Sequence, residues 1–115
     1  MKNYIRVVLV EAGNPEIKII EKWEHSLDTV QQFLGGYLQA IRVNGSVTMW
    51  LNEEGKMQQL EPNFIFVNKE GKSLDTVVGN VLIAGTNSEG DDISLTDEEI
   101  EMLQEKFLSR TMFQL

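Results

Sequence analysis

Cysteine is absent from this sequence, histidine occurs once, and there are only two prolines. Without cysteine there is no disulfide, no thiolate zinc site and no thiol nucleophile. With His25 as the only histidine, a metal site would have to be built from oxygen ligands alone. The serines have no histidine placed in a recognisable motif to activate them. Gly35-Gly36 lacks the trailing Lys-Ser/Thr and the strand-to-helix order of a phosphate loop. His25 stands just before a helix start and reads as a surface or capping residue rather than a general base. No catalytic residue, metal or cofactor is assigned, and the chain is expected not to be an enzyme. A small hydrolase using carboxylates and a divalent metal ranks last among the readings.

Basic residues are also scarce. Ten Lys and Arg stand against 18 Asp and Glu, for a formal charge of −8. Direct binding to nucleic acid through its phosphates needs a basic footprint, so none is expected. Long hydrophobic runs are missing too. The start, MKNYIRVVLVEAGN, is too short for a span and has no small-residue cleavage site, so neither a signal peptide nor a membrane segment is expected. The expected location is the cytoplasm.

What is present is the composition of an ordinary globular domain, 42% hydrophobic and 24% charged over 115 residues, read as one domain spanning 1–115. In YIRVVLVE, Ile5, Val7 and Leu9 point one way while Val8 and Val10 point the other, the pattern of a central strand buried on both faces. AGNP is a turn, and EIKIIEK alternates like a half-exposed strand. HSLDTVQQFLGG predicts a helix capped by Ser26, with Leu27, Val30 and Leu34 on one face and Gly35-Gly36 at its end. Asn44-Gly45 predicts a tight hairpin. Pairing outward from it sets Leu38 against Leu51, Ala40 against Met49 and Arg42 against Val47, with Thr48 on a wetter face beside a partly covered Trp50. FIFV is a short strand, and VVGNVLIAG (77–85) reads as one last buried strand. The sum is an α+β domain, a mainly antiparallel sheet of about five to six strands with two helices, one in the middle and one near the C-terminus.

The charge is not spread evenly. Glu89, Asp91, Asp92, Asp97, Glu98, Glu99, Glu101 and Glu105 are eight of the 18 acids, and 18 − 8 leaves ten acids for the ten bases elsewhere. The whole net charge therefore lies within 89–105. Thr96 and Glu99 predict a capping box, and Asp97, Glu98 and Glu99 fall in a first helical turn, where acids interact favourably with the helix dipole. Ile100, Leu103 and Phe107 form the core face of that helix. Capping accounts for three of the eight acids. The other five fit a solvated face, or a surface that meets a basic partner. A calcium-loop reading places Asn87, Glu89, Asp91 and Glu98 at suitable offsets, but Asp92 stands where the sharp turn needs glycine. The C-terminal FLSRTMFQL, if helical, carries a second apolar stripe of Leu108, Met112 and Leu115. With Phe113, these residues are expected to meet the domain's own sheet or a second subunit, a homodimer contact being favoured.

Five segments in one order carry a resemblance: VVLVEAGNPEIKII, LDTVQQFLGGYLQAIRV, LNEEGKMQQLEPN, VVGNVLIAG and SLTDEEIEMLQEKF. Gly35-Gly36-Tyr37, Asn52-Glu53-Glu54-Gly55-Lys56 followed by Pro62-Asn63, and Ser94-Leu95-Thr96 are the most specific pieces. From about Ile5 to Phe107 the chain resembles an uncharacterised family of small acidic domains encoded by bacteriophages, plasmids and other mobile elements. The resemblance implies an accessory protein that binds a host factor, such as a defence or restriction protein, or one that sequesters a small nucleotide. The leading expectation is a non-enzymatic binding protein whose acidic 89–105 region contacts a basic surface on a host protein.

Overall fold

A computed structural model describes residues 2–115. The alternation read in the first strand is what organises it. In β1 (Tyr4–Val10), Ile5, Val7 and Leu9 pack into one buried cluster, and Val8 and Val10 pack into a second on the opposite face. Each fully buried valine or leucine contributes about 1.5–3 kcal/mol of transfer free energy, so the strand is held from both sides.

The remaining elements follow as β2 (Lys18–Glu24), α1 (Leu27–Leu34), β3 (Leu38–Asn44), β4 (Val47–Asn52), β5 (Pro62–Val67), β6 (Ser73–Val78), β7 (Val81–Thr86), β8 (Asp92–Ile93), α2 (Asp97–Lys106), β9 (Phe107–Ser109) and β10 (Met112–Gln114). The main sheet runs β2-β1-β7-β4-β3, with β8 paired to β7 as its sixth strand. A smaller four-stranded sheet runs β6-β5-β10-β9. The pairing is antiparallel throughout except between β10 and β5. The fold is α+β, with a main sheet of six strands and two helices.

Between the sheets lies the larger cluster, in which Val8, Val10, Met49 and Ile83 of the main sheet meet Phe64, Phe66 and Phe113 of the second. Ile100 and Leu103 of α2 close it from the side. On the other face of the main sheet, Val30 and Leu34 of α1 cover Val7, Leu9 and Leu82. Both helix starts match their sequence signals. Ser26 Oγ accepts from Thr29 N–H at 3.1 Å, and Thr96 Oγ1 accepts from Glu99 N–H at 3.1 Å. Gly35 ends α1 in the left-handed conformation. Leu27, expected on the buried face of α1, is instead 64% exposed at its first position.

Three expectations are corrected. First, the β3–β4 hairpin is one residue out of the expected register. Ala40 faces Trp50 and Arg42 faces Thr48, with a bulge before Asn44 pairs with Val47. The cause is Asn44, whose side-chain Oδ1 accepts from Ser46 N–H at 2.8 Å; this moves the turn onto Gly45-Ser46. Thr48 consequently lies on a buried face and bonds to Thr86 Oγ1 at 2.6 Å.

Second, residues 77–85 are not one strand. Val77-Val78 end β6 in the small sheet, and Val81 begins β7 in the main one. Gly79 makes the crossing at φ 77°, where a side chain would also strike Leu60, whose Cδ1 lies 2.7 Å from an ideal Cβ position. Glycine alone meets both demands without strain.

Third, the C-terminus is not helical. α2 stops at Lys106, and residues 107–114 form the β9–β10 hairpin. Phe113 is then fully buried, its ring 4.8 Å from that of Phe107 and 5.9 Å from that of Phe66, centroid to centroid. Parallel pairing with β5 completes an aromatic core, which stabilises more than one further helical turn would. Arg110 locks this hairpin to the β1–β2 loop by donating to Glu11 O at 2.7 Å and Asn14 O at 2.8 Å.

Candidate functional site

The eight acids between 89 and 105 separate into two groups. Three are held by the protein's own structure. Asp97 accepts from Arg6 Nη1, and Glu21 accepts from Arg6 Nε at 3.1 Å. Glu99 completes the capping box by accepting from Thr96 N–H at 2.9 Å. Asp92 is the most enclosed, its side chain only 14% exposed. Its Oδ2 accepts from His25 Nε2 at 2.8 Å, and its Oδ1 accepts from Trp50 Nε1 at 3.2 Å.

Asp92 is therefore a clamp rather than a surface charge. It ties β8 to the end of β2 and to β4, and Gly85 lets the segment approach closely. A side chain at Gly85 would sit 2.8 Å from Ser94 O. Leu95 N–H donates to Arg6 O at 2.9 Å, fixing the other end of the same segment. His25 is half-buried in this clamp, not a surface residue, and its Nδ1 is buried without a hydrogen-bond partner. One ring nitrogen is committed to Asp92 and the other has no hydrogen-bond partner among the described residues, so the pair ties together segments distant in sequence. Local sequence carries no signal for it, because His25 and Asp92 are 67 positions apart. His25 and Asp92 also line a crevice of about 210 Å³, together with Ser26, Leu27, Val30, Leu38 and Trp50.

The second group faces solvent. Glu89 and Asp91 occupy the turn after β7, where Asn87 Oδ1 accepts from both of their backbone N–H groups at 3.0 and 2.9 Å. Asn87 is thus committed to shaping the turn. No cluster of three or more His, Asp or Glu side chains among the described residues is placed to hold a metal ion. Glu98, Glu101 and Glu105 are exposed on α2. Their i, i+3, i+7 spacing puts them on one stripe, opposite the Ile100 and Leu103 face. Among the described residues none of these five carboxylates lies in an ion pair.

The four C-terminal apolar positions do not form one surface. Phe113 is in the core, Met112 is half-buried, and Leu108 and Leu115 are 53% and 38% exposed. Phe113 is thereby removed from any contact with a second subunit.

The fold also opens a groove for which the sequence carries no signal. About 260 Å³ in volume, it lies at the open end of the two sheets, between β3–β4 and β5–β6. Ile41, Leu51, Phe66 and Val77 form its apolar walls, with Gln39 and Thr76 among the polar groups lining it. Lys56 and Asp75, in hydrogen-bonded contact at 2.5 Å, also line it. That lysine holds the Asp75 carboxyl below the usual carboxylate range.

Comparison with known families places the chain. The profile described as "Domain of unknown function (DUF3846)" matches residues 5–108. The chain belongs to the DUF3846 family. The matched span runs from β1 into β9, so the DUF3846 domain includes both helices and nearly all of the main sheet, while β10 lies beyond it. No curated protein and no solved structure was found to match. No helix among the described residues of this DUF3846 domain is long and apolar enough to cross a membrane.

Proposed function

We propose that this DUF3846 protein is a non-enzymatic binding protein of a phage or mobile element, which meets a basic surface on a host protein through its exposed acids. The observation that supports this reading is the stripe of Glu98, Glu101 and Glu105. All three are exposed and without an ion-pair partner among the described residues. Like charges at i, i+3 and i, i+4 each cost a helix about 0.2–0.5 kcal/mol, and Glu105 also opposes the dipole at the C-terminal end. Glu98 is favoured by the dipole at the first turn, but Glu101 and Glu105 bring no such gain to the helix, and Glu89 and Asp91 add two further exposed acids nearby in sequence. Such a single-sign surface speeds encounter with a cation-rich partner, over a range of about 8 Å at physiological salt.

The test is charge reversal of Glu98, Glu101 and Glu105 to lysine, with Asp92 left intact because its removal would disturb the clamp. Capture of a protein from bacterial lysate by the native chain, lost in the reversed chain and lost on adding salt, is the expected result. Equal capture by both chains would reduce the stripe to a hydrated helix face.

The groove favours a second reading, a binder of a small molecule such as a nucleotide. It combines apolar walls with a few polar groups, the usual make-up of a ligand site. A nucleotide retained through purification, or a ligand-dependent rise in melting temperature abolished by changing the exposed groove residues Gln39 and Thr76 to alanine but not by charge reversal on α2, would move the function there.

A further inference from the structure

Four strands bound the two sheets, and three of them are protected against pairing with another chain. β2 carries Lys18, Glu21, Lys22 and Glu24, and Lys18, Glu21 and Glu24 are in ion pairs with Glu11, Arg6 and Lys2. Charged residues of this kind discourage edge-to-edge association. On β6, the Thr76 N–H is already taken by Asp75 Oδ1 at 2.8 Å, the same carboxylate that Lys56 holds. β9 is only three residues long.

β3 is the least protected of the four, with its bulge only at the turn end. Its seven residues, LQAIRVN, contain one charge. Glu53 N–H donates to Tyr37 O at 2.8 Å, on the same register line that pairs Leu38 with Asn52. Antiparallel ladders alternate, so residues 37, 39 and 41 turn their backbone groups toward β4, and Leu38, Ala40 and Arg42 turn theirs outward. The free edge is therefore a regular run of N–H and C=O groups ending at the bulge near Val43. Ala40, at its centre, is exposed.

We infer that β3 pairs with β3 of a second copy of this chain, antiparallel about a two-fold axis at Ala40. The register is self-complementary. Leu38 falls opposite Arg42, Gln39 opposite Ile41, and Ala40 opposite its own counterpart, so no like charges face each other. All three outward residues find hydrogen-bond partners, and the main sheet continues from one copy into the next. Tyr37, 67% exposed just before the strand, comes to lie against the partner's strand end. This inference does not rest on the acidic surface, since α2 contributes nothing to the β3 edge.

The two ideas also differ in the sign of their salt dependence. Copies each carrying −8 repel at low salt, so self-association strengthens as salt is added, whereas capture of a basic partner weakens. Sedimentation equilibrium of the full chain across concentration and salt is expected to show a monomer–dimer equilibrium that shifts to dimer with salt. Ala40→Lys places two ammonium groups side by side at the axis and is expected to weaken the dimer roughly tenfold or more, with unchanged circular dichroism and with unchanged melting at concentrations where both chains are monomeric. The chain has no cysteine, so Ala40→Cys gives a single thiol whose counterpart lies at a disulfide-compatible distance, about 5.5 Å between Cα atoms of a hydrogen-bonded pair. Under oxidation it is expected to form a covalent dimer much faster than Leu74→Cys on β6. A monomer at every concentration and salt, or equal cross-linking by the two cysteine variants, would overturn the inference. So would a monomer whose β3 edge instead takes up an extended peptide of another protein.

Discussion

Replacing Asp92 by alanine tests the clamp more directly than any other change. Asp92 accepts from two donors, His25 Nε2 and Trp50 Nε1, and its side chain is 14% exposed, with that of His25 at 13%. Truncation leaves the indole N–H and the imidazole N–H in a largely dry site without acceptors. An unsatisfied buried donor costs about 1–3 kcal/mol. Partial access of water at this exposure lowers the cost for each, so the loss expected for the pair is about 2–4 kcal/mol. Unfolding entropy near 2.1 cal/mol/K per residue makes 1 kcal/mol worth roughly 4 °C in a chain this size, so the melting temperature should fall by about 8–16 °C. The neighbour Asp91 provides the control. It is exposed, and among the described residues its side chain accepts one hydrogen bond, a long 3.4 Å one from Asn87 Nδ2, so Asp91→Ala is expected to stay within about 0.5 kcal/mol of the native chain. Urea unfolding followed by tryptophan fluorescence and by circular dichroism measures both. Coincident effects at 91 and 92, or an Asp92→Ala loss under about 0.5 kcal/mol, would refute the clamp as a buried element of the fold.

Charge changes along α2 should differ in sign. Glu98→Lys is expected to destabilise by roughly 0.3–1 kcal/mol at the N-terminal end, and Glu105→Lys to stabilise by a few tenths at the other, with chemical denaturation as the readout. Gly79→Ala, at φ 77° and against Leu60, is expected to cost about 1–3 kcal/mol; a neutral result would mean that Leu60 moves aside and the backbone is unstrained there. Because Lys56 lowers the Asp75 carboxyl, this pair stabilises the fold above the ordinary carboxylate range, and the contribution is lost as pH falls through the lowered value. Both side chains are mostly exposed, so the effect is small and screened by salt. Asp75→Asn is expected to flatten the acid limb of the stability–pH curve slightly at low salt, and to leave it unchanged at high salt.

Features that depend on neighbours along the chain are legible in the amino-acid sequence itself. The two-faced pattern of β1 is one. The caps at Ser26 and at Thr96 with Glu99, the left-handed stop at Gly35 and the core face of Ile100 and Leu103 are others. Each is decided within one turn or a few alternating residues, where propensity, periodicity and capping act together. The concentration of net charge in 89–105 is likewise a property of the sequence alone.

Tertiary structure decided what those signals could not reach. The register of β3 against β4 turned on one hydrogen bond to the Asn44 side chain. Val77 to Gly85 is almost uniformly apolar, so periodicity alone could not reveal that it crosses from one sheet to another at Gly79. The C-terminal residues carry a helical pattern of apolar spacing, yet burying Phe113 among Phe64, Phe66 and Phe107 outweighed it, because aromatic burial exceeds the few tenths of a kcal/mol that propensity supplies per residue. The number of acids and their positions along the chain are matters of sequence. Only the folded chain separated Asp92, drawn inward by a histidine and a tryptophan distant in sequence, from Glu98, Glu101 and Glu105, which the pitch of α2 turns together into water.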